Sequence, residues 1–87
     1  MYEDIETKII ELVAKRANMP GVTRDKSLMD DLRMDALDIV ETLMDAETEF
    51  GVRITEEVAD RVRTVGDIVE AVARAKKNAG KGNEQHL

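Results

Sequence analysis

Residues 35–50 read DALDIVETLMDAETEF, and placed at about 100° per residue they form a helix with three lanes. One lane is apolar and predicts the face that packs against a core. Its members are Ile39, Leu43, Ala46 and Phe50. A second lane is acidic, and its members are Asp38, Glu41, Asp45 and Glu49. The third lane is again apolar, although a surface helix needs only one apolar stripe. Its members are Leu37, Val40 and Met44.

The third lane has two explanations. In the first, the core face is wide, and the segment before the helix folds over this lane. In the second, the lane is a docking strip, with apolar anchors whose acidic neighbours meet a basic patch on a partner. Periodicity alone does not separate the two explanations.

Helical signals continue on both sides of this segment. Residues 2–17 have apolar residues at a spacing of 3–4 and predict an amphipathic helix, which Pro20 and Gly21 follow. Residues 18–34 form a long connection whose scattered apolar residues indicate that it is pinned across the core. Those residues are Val22, Leu28, Met29 and Leu32.

Two more helices follow residue 50. Gly51 ends the second helix, and Thr55 is a suitable N-cap for a short third helix over residues 56–61. Thr64, with Asp67 three residues later, has the pattern of a capping box that begins a fourth helix. The prediction is an all-α bundle of three longer helices and one short one with a long first loop. Residues 1–77 form the domain, and residues 78–87 form a flexible tail.

Composition narrows the possible functions. A chain of 87 residues holds one domain, and with no cysteine and one histidine it has no disulfide framework and no pair of histidines to bind a metal. No apolar run has the length of a signal peptide or a membrane span, so we expect a soluble cytoplasmic protein, or its equivalent in an organellar stroma or matrix.

Charge is concentrated in the middle of the chain. Residues 25–60 hold twelve acids and three bases, a net charge of −9, within a total of −6. This distribution argues against nucleic-acid binding and for basic protein partners. The alternative is an acidic face that only keeps the protein in solution.

Four short motifs resemble those of the acyl carrier protein family. Residues 31–41, DLRMDALDIVE, resemble the signature Asp-Leu-Gly-x-Asp-Ser-Leu-Asp-x-Val-Glu. Residues 49–54, EFGVRI, are similar to the family's Glu-Phe-x-x-x-Ile, and residues 64–68, TVGDI, to its Thr-Val-Gly-Asp segment. Ser27-Leu28 matches the loop before the signature. The resemblance extends over residues 3–75.

The resemblance implies a carrier that holds acyl intermediates as thioesters on a 4′-phosphopantetheine arm in fatty-acid or polyketide-type biosynthesis. A separate transferase esterifies the signature serine with this arm. Here that position is Ala36, flanked by Asp35, Leu37 and Asp38, and alanine has no oxygen to esterify. Arg33, where the family usually has glycine, and Met34, where it has a small residue, also depart from the pattern.

By the same resemblance, partners would be a phosphopantetheinyl transferase and acyl-handling synthases, dehydratases, reductases and acyltransferases with basic patches. The chain itself would be monomeric. The expected recognition residues are Leu37, Asp38, Val40, Glu41, Met44, Asp45, Glu47, Glu56, Glu57 and Asp60. The expected acyl pocket is lined by Leu32, Ile39, Val40, Leu43, Ala46, Phe50, Ile54, Val58, Ala59, Val62 and Ile68.

Other functions fit the sequence less well. No nucleophile–base pair, metal-ligand set or glycine-rich phosphate loop is present, so an enzyme is not expected, and Asp38 and Glu41 are interpreted as solvated surface. A helical docking module of another class is the alternative. Ala36 itself has two open explanations. It is either a deliberate replacement in a normal carrier, or the mark of a natural carrier-like protein that acts as a scaffold or regulator.

Overall fold

Within residues 2–85, the part of the backbone that the computed structural model describes, the chain folds into four helices. Side chains are described for residues 4–78. The helices are α1 (Tyr2–Ala17), α2 (Ala36–Phe50), α3 (Glu56–Asp60) and α4 (Val65–Gln85). Their order confirms the predicted all-α bundle of three longer helices and one short helix with a long first loop.

Helix α2 begins and ends at residues that satisfy its terminal backbone groups. The Asp38 N–H donates to Asp35 Oδ1 at 2.8 Å, and the Asp35 N–H donates to Asp38 Oδ2 at 3.2 Å, which completes a capping box. At the other end Gly51 has a φ of 64°, and its N–H donates to the carbonyl of Glu47. Glycine suits this left-handed conformation because it has no Cβ.

The predicted caps of the last two helices are also confirmed. Thr55 Oγ1 accepts from the Val58 N–H at 3.3 Å and begins α3. Thr64 Oγ1 accepts from the Asp67 N–H at 3.1 Å, and Asp67 Oδ2 accepts from the Thr64 N–H at 3.0 Å. These hydrogen bonds satisfy donors that have no partner within the first turn of a helix.

The core is aliphatic and lies where α1, α2 and α4 meet. Its members from α4 are inaccessible to solvent, and they are Val65, Ile68, Val69 and Val72. Helix α1 contributes Ile5, Ile9 and Val13, and helix α2 contributes Ile39, Leu43 and Ala46. Thr42 is also buried, and its hydroxyl donates to the Asp38 carbonyl at 2.8 Å. Because this bond satisfies the hydroxyl, the core holds one threonine at little cost.

The first loop is pinned to the core, as predicted, through most of its apolar residues. Val22, Leu28 and Leu32 are buried, as is Met34 at the end of the loop. Met29 is an exception, because 54% of it is exposed. The Leu28 N–H donates to the Arg63 carbonyl at 2.9 Å, which joins the loop to the connection between α3 and α4.

Helix α4 extends beyond the predicted end of the domain. Its backbone is helical to Gln85, whereas the sequence predicted an irregular, flexible tail over residues 78–87. The segment contains no proline, so no residue in it lacks a backbone donor for the helix. The flexibility of the tail remains a prediction, and His86 and Leu87 lie outside the described residues.

The backbone conformation at residue 33 shows the effect of one departure from the carrier signature, arginine in place of glycine. Its φ is 60°, in the left-handed region where a side chain is strained by roughly 1–2 kcal/mol. A glycine at this position adopts the same conformation without a Cβ. The usual glycine of the signature therefore fits the geometry of this turn, and arginine occupies it at a cost in stability.

We predict that Arg33→Gly raises the free energy of unfolding by about 0.5–1 kcal/mol, the relief of strain less the added freedom of the unfolded chain. Denaturant unfolding measures this change. The matched control is Arg61→Gly, because Arg61 is also exposed but has a φ of −94°. That control should lose stability, and a loss in both variants would contradict strain at Arg33.

Candidate functional site

Ala36 is the first residue of α2, and it is exposed. The first turn of a helix carries N–H groups without intrahelical acceptors and the positive end of the helix dipole, so it favours a phosphate group nearby. Asp35 and Asp38, on either side of Ala36, are held in the capping box that starts the helix. The capping box therefore fixes where the helix starts, and the side chain of Ala36 is exposed to solvent.

The third lane of α2 is exposed over its whole length. The exposed fractions are 64% for Leu37, 49% for Val40 and 57% for Met44. The first loop therefore does not cover this lane, which excludes the wide core face as its explanation. We call these three residues the apolar strip. It follows directly after Ala36 along the same helix.

The acidic lane of α2 is paired with α1. Arg16 Nη1 lies 2.7 Å from Glu41 Oε1, and Arg16 Nη2 lies 2.8 Å from Asp45 Oδ2. One guanidinium thus joins two carboxylates that are one turn apart. The hydrogen bond to Asp45, above all, raises the pKa of Arg16 above its ordinary value. Further along the helix, Lys8 Nζ lies 3.7 Å from Glu49 Oε2.

The side chain of Glu47 forms a hydrogen bond within the chain, to the loop after α2. Its Oε2 accepts from the Ile54 N–H at 2.7 Å, across the connection between α2 and α3. A hydrogen bond to a charged acceptor of this kind contributes about 1.5–3 kcal/mol. The sequence assigned Glu47 to partner recognition, and the structure gives its carboxylate this bond within the chain.

An open groove lies between α2 and α3, beside the apolar strip. Its volume is about 420 Å³, and its lining combines apolar side chains with three carboxylates. The lining residues are Val40, Leu43, Met44, Glu47, Ile54, Glu56, Ala59 and Asp60. A larger groove of about 660 Å³ lies between α1 and α2. It is lined mainly by charged residues, Arg16 and Asp45 among them, and so suits an acyl chain poorly.

The residues expected to line an acyl pocket divide into three groups. Four of them meet in the groove between α2 and α3, namely Val40, Leu43, Ile54 and Ala59. The second group is buried in the core and consists of Leu32, Ile39, Ala46, Val62 and Ile68. Leu43 of the first group is buried there as well. Of the other two, Phe50 packs against the core, and Val58 is exposed in a separate groove beside Arg53 and Arg74.

The phosphopantetheine attachment site family matches residues 7–72. Acyl carrier proteins of Rickettsia canadensis (strain McKiel) and Rickettsia prowazekii (strain Madrid E) are each 36% identical over 72 residues, which cover 80% of this chain and 84% of theirs. The chain belongs to the acyl carrier protein family. The prosthetic group of this family is 4′-phosphopantetheine, on which its members carry acyl groups.

Solved structures of the family have the same architecture. A putative acyl carrier protein from Mycobacterium tuberculosis is 30% identical and superposes with a TM-score of 0.75, over 79% of this chain and 95% of that one. The acyl carrier protein from Enterococcus faecalis is 26% identical with a TM-score of 0.73, over 86% and 98% of the two chains. An acyl carrier protein from Thermotoga maritima, 21% identical over 90% and 93% of the chains, shares the fold with a TM-score of 0.75.

The family's prosthetic group does not fit Ala36. An ester of phosphopantetheine needs a side-chain oxygen, and the methyl group of Ala36, at the position that the resemblance implies, has none. The surroundings otherwise suit a phosphate ester, because Ala36 is exposed at a helix N-terminus. The disagreement is thus confined to one side chain, and no acyl transfer proceeds through that side chain.

The described residues include neither a metal-binding cluster nor a helix suited to a membrane. Among them, no three His, Cys, Asp or Glu side chains form a group that could hold a metal ion. No helix within the described part of the chain combines the length and apolar character needed to cross a membrane.

Sequence reasoning missed Arg16 as part of the site. Arg16 is 25 residues from Glu41 and 29 from Asp45, so no local pattern connects it to them. The available signal was its place in the last turn of α1, which leads into the long loop toward α2. That place predicts a favourable interaction with the helix dipole but not this pair of carboxylates.

Proposed function

We propose that the present chain is a docking form of an acyl carrier, which binds acyl-handling enzymes but carries no acyl group. The apolar strip is the observation that carries this proposal. Three large apolar side chains stand in water on one helix, directly after the attachment position and beside carboxylates of α2 and α3. Exposed anchors with a charged rim are typical of protein interfaces.

Charge supports basic partners for this surface. Residues 25–60 carry a net charge of −9, and the rim of the groove includes Glu56 and Asp60. Such carboxylates contribute little affinity one by one, but together they accelerate encounter with a cationic surface and set its orientation. The proposed partners are phosphopantetheinyl transferases and the synthases, dehydratases, reductases and acyltransferases of fatty-acid or polyketide-type pathways, met by a monomer in the cytoplasm or organellar equivalent.

The groove between α2 and α3 is the proposed acyl site of a loaded form. Its apolar lining includes Val40, Leu43, Ile54 and the small side chain of Ala59. Burial of each methylene of a chain in such a groove contributes about 0.8 kcal/mol. Residues expected in the pocket but buried in the core would line it only if the helices moved apart.

Two origins of Ala36 are compatible with this function. A normal carrier with its serine replaced keeps every other group of the site. A natural scaffold or regulator that is never loaded would use the same docking surface. Restoration of serine tests the first origin, because a carrier that differs only in that serine keeps every other group that a transferase recognises.

We predict that Ala36→Ser accepts one phosphopantetheine from coenzyme A and a broad-specificity transferase, measured by intact mass. The present chain is its own control, since it retains Ser27, the only serine in the sequence, and should gain nothing. Failure of Ala36→Ser with several active transferases, although its helical spectrum matches that of the present chain, would contradict the first origin, a normal carrier with its serine replaced.

We predict that Met44→Glu weakens binding to such a transferase about tenfold, since it places a charge in the apolar centre of the contact. Titration calorimetry with the present chain measures this directly, because Ala36 prevents turnover. Met29→Glu is the matched control. Met29 is a methionine of similar exposure, 54% against 57%, in a groove with Ser27 and Arg63. Equal weakening by both substitutions would show that charge, and not the strip, governs binding.

We predict that Ala59→Leu fills the groove between α2 and α3 and thereby speeds thioester hydrolysis in an acylated Ala36→Ser protein. Release of the acyl chain over time is the measurement. Val58→Leu lies on the same short helix but beside the separate groove, and it should leave the rate unchanged. Identical rates in the Ala59→Leu protein and its parent would remove the groove as the acyl site.

A further inference from the structure

The acidic surface of this chain has two halves, which differ in whether their carboxylates form ion pairs within the chain. The α2 half consists of Glu41, Asp45 and Glu49, and α1 supplies a cation to each through Arg16 and Lys8. The α3 half consists of Glu56, Glu57 and Asp60. Among the side chains that the structure describes, none forms an ion pair with this half. The apolar strip and its groove lie between the two halves.

The geometry at Arg16 makes it a competitor for a partner's cations. Its two guanidinium nitrogens meet Glu41 and Asp45 at 2.7 and 2.8 Å, so Arg16 bridges the same carboxylates that an arginine of a partner would contact. Glu41 and Asp45 remain half-exposed, at 44% and 49%, so a partner can reach them. A partner that uses them must displace Arg16 or share them with a like charge.

We propose that Arg16 is a specificity-determining residue, which withholds Glu41 and Asp45 from basic partners and directs docking to the carboxylates of α3. This inference rests on the proposed docking function. A partner whose cations lie opposite Glu56 and Asp60 binds without loss. A partner whose cations lie opposite Glu41 and Asp45 meets the positive charge of Arg16 and is disfavoured, which is discrimination by repulsion.

Variants of these residues should differ in how strongly they change the affinity for a partner. In the present chain, Glu56→Gln should weaken binding more than Glu41→Gln, although both remove one negative charge beside the strip. Arg16→Gln should tighten binding about threefold to tenfold. Each of its two exposed ion pairs contributes a fraction of a kilocalorie per mole, and a tenfold change in affinity corresponds to ~1.4 kcal/mol. In the Arg16→Gln background, Glu41→Gln should then become costly.

The experiment titrates a broad-specificity phosphopantetheinyl transferase with each variant of the Ala36 chain at low and high salt. Arg24→Gln is the charge-matched control, because Arg24 also joins two carboxylates, Glu6 and Glu70, but away from the strip. Arg16→Lys keeps the charge but cannot fork two carboxylates at once, so it should tighten binding by an intermediate amount. Thermal melts establish that each variant is folded at the temperature of titration.

Tighter binding of Arg16→Gln and Arg16→Lys, with Arg24→Gln within about twofold of the parent, supports the inference. Equal tightening by Arg16→Gln and Arg24→Gln would assign the effect to net charge and overturn it. An unchanged affinity of Arg16→Gln, together with modification of Ala36→Ser, would overturn this inference alone. The absence of any measurable binding of the Ala36 chain to the transferase would overturn the proposed function and this inference with it.

Discussion

The reciprocal hydrogen bonds between Asp35 and Asp38 set the residue at which α2 begins, and the functional surface depends on that residue. A helix that began one residue later would rotate each of its lanes by about 100° relative to the start of the helix. With the observed start, Ala36 stands in the first turn, Ile39 and Leu43 enter the core, and Met44 faces water. The capping box thus places Ala36 in the first turn of α2, with the apolar strip directly after it on the same helix.

The core leaves α2 with little freedom to turn away from that arrangement. Ile39 and Leu43 pack into one cluster with the buried residues of α4 and with Leu28 of the first loop. Rotation of α2 to bury the apolar strip would expose this face and lose about 1.5–3 kcal/mol for each large side chain. The strip therefore stays exposed to solvent because the face that carries Ile39 and Leu43 is needed for stability.

The acidic residues of this surface differ in whether they are paired within the chain, and net charge does not describe that difference. A count of acids and bases describes residues 25–60 as uniformly acidic, with a net charge of −9. In the folded chain Arg16 lies against two of those acids, and Glu47 is bound to a backbone N–H of the next loop. Charge that is paired within the chain attracts a partner less than charge that faces water, so the location of each carboxylate matters more than the total.

The properties of neighbouring residues were sufficient to predict much of this protein's structure. Helix periodicity, N-cap residues and the glycine after α2 are properties of a few neighbouring residues, so the four helices, their caps and the anchored first loop were predictable. The sequence also shows that Ala36 has no side-chain oxygen, while its identification as the attachment position remains a prediction from the resemblance. The helical continuation of α4 to Gln85 was not predicted, because the segment has no apolar period and backbone hydrogen bonds need none.

Packing between distant segments decided the rest. Whether the third lane of α2 is covered depends on the path of a loop of seventeen residues, 18–34, and only the folded chain shows that Leu37, Val40 and Met44 stay exposed. The strain at Arg33 follows from the turn that this loop must make to reach α2. The fork of Arg16 on Glu41 and Asp45 joins residues at least 25 positions apart. No local pattern encodes such a contact, because it exists only once α1 and α2 pack side by side.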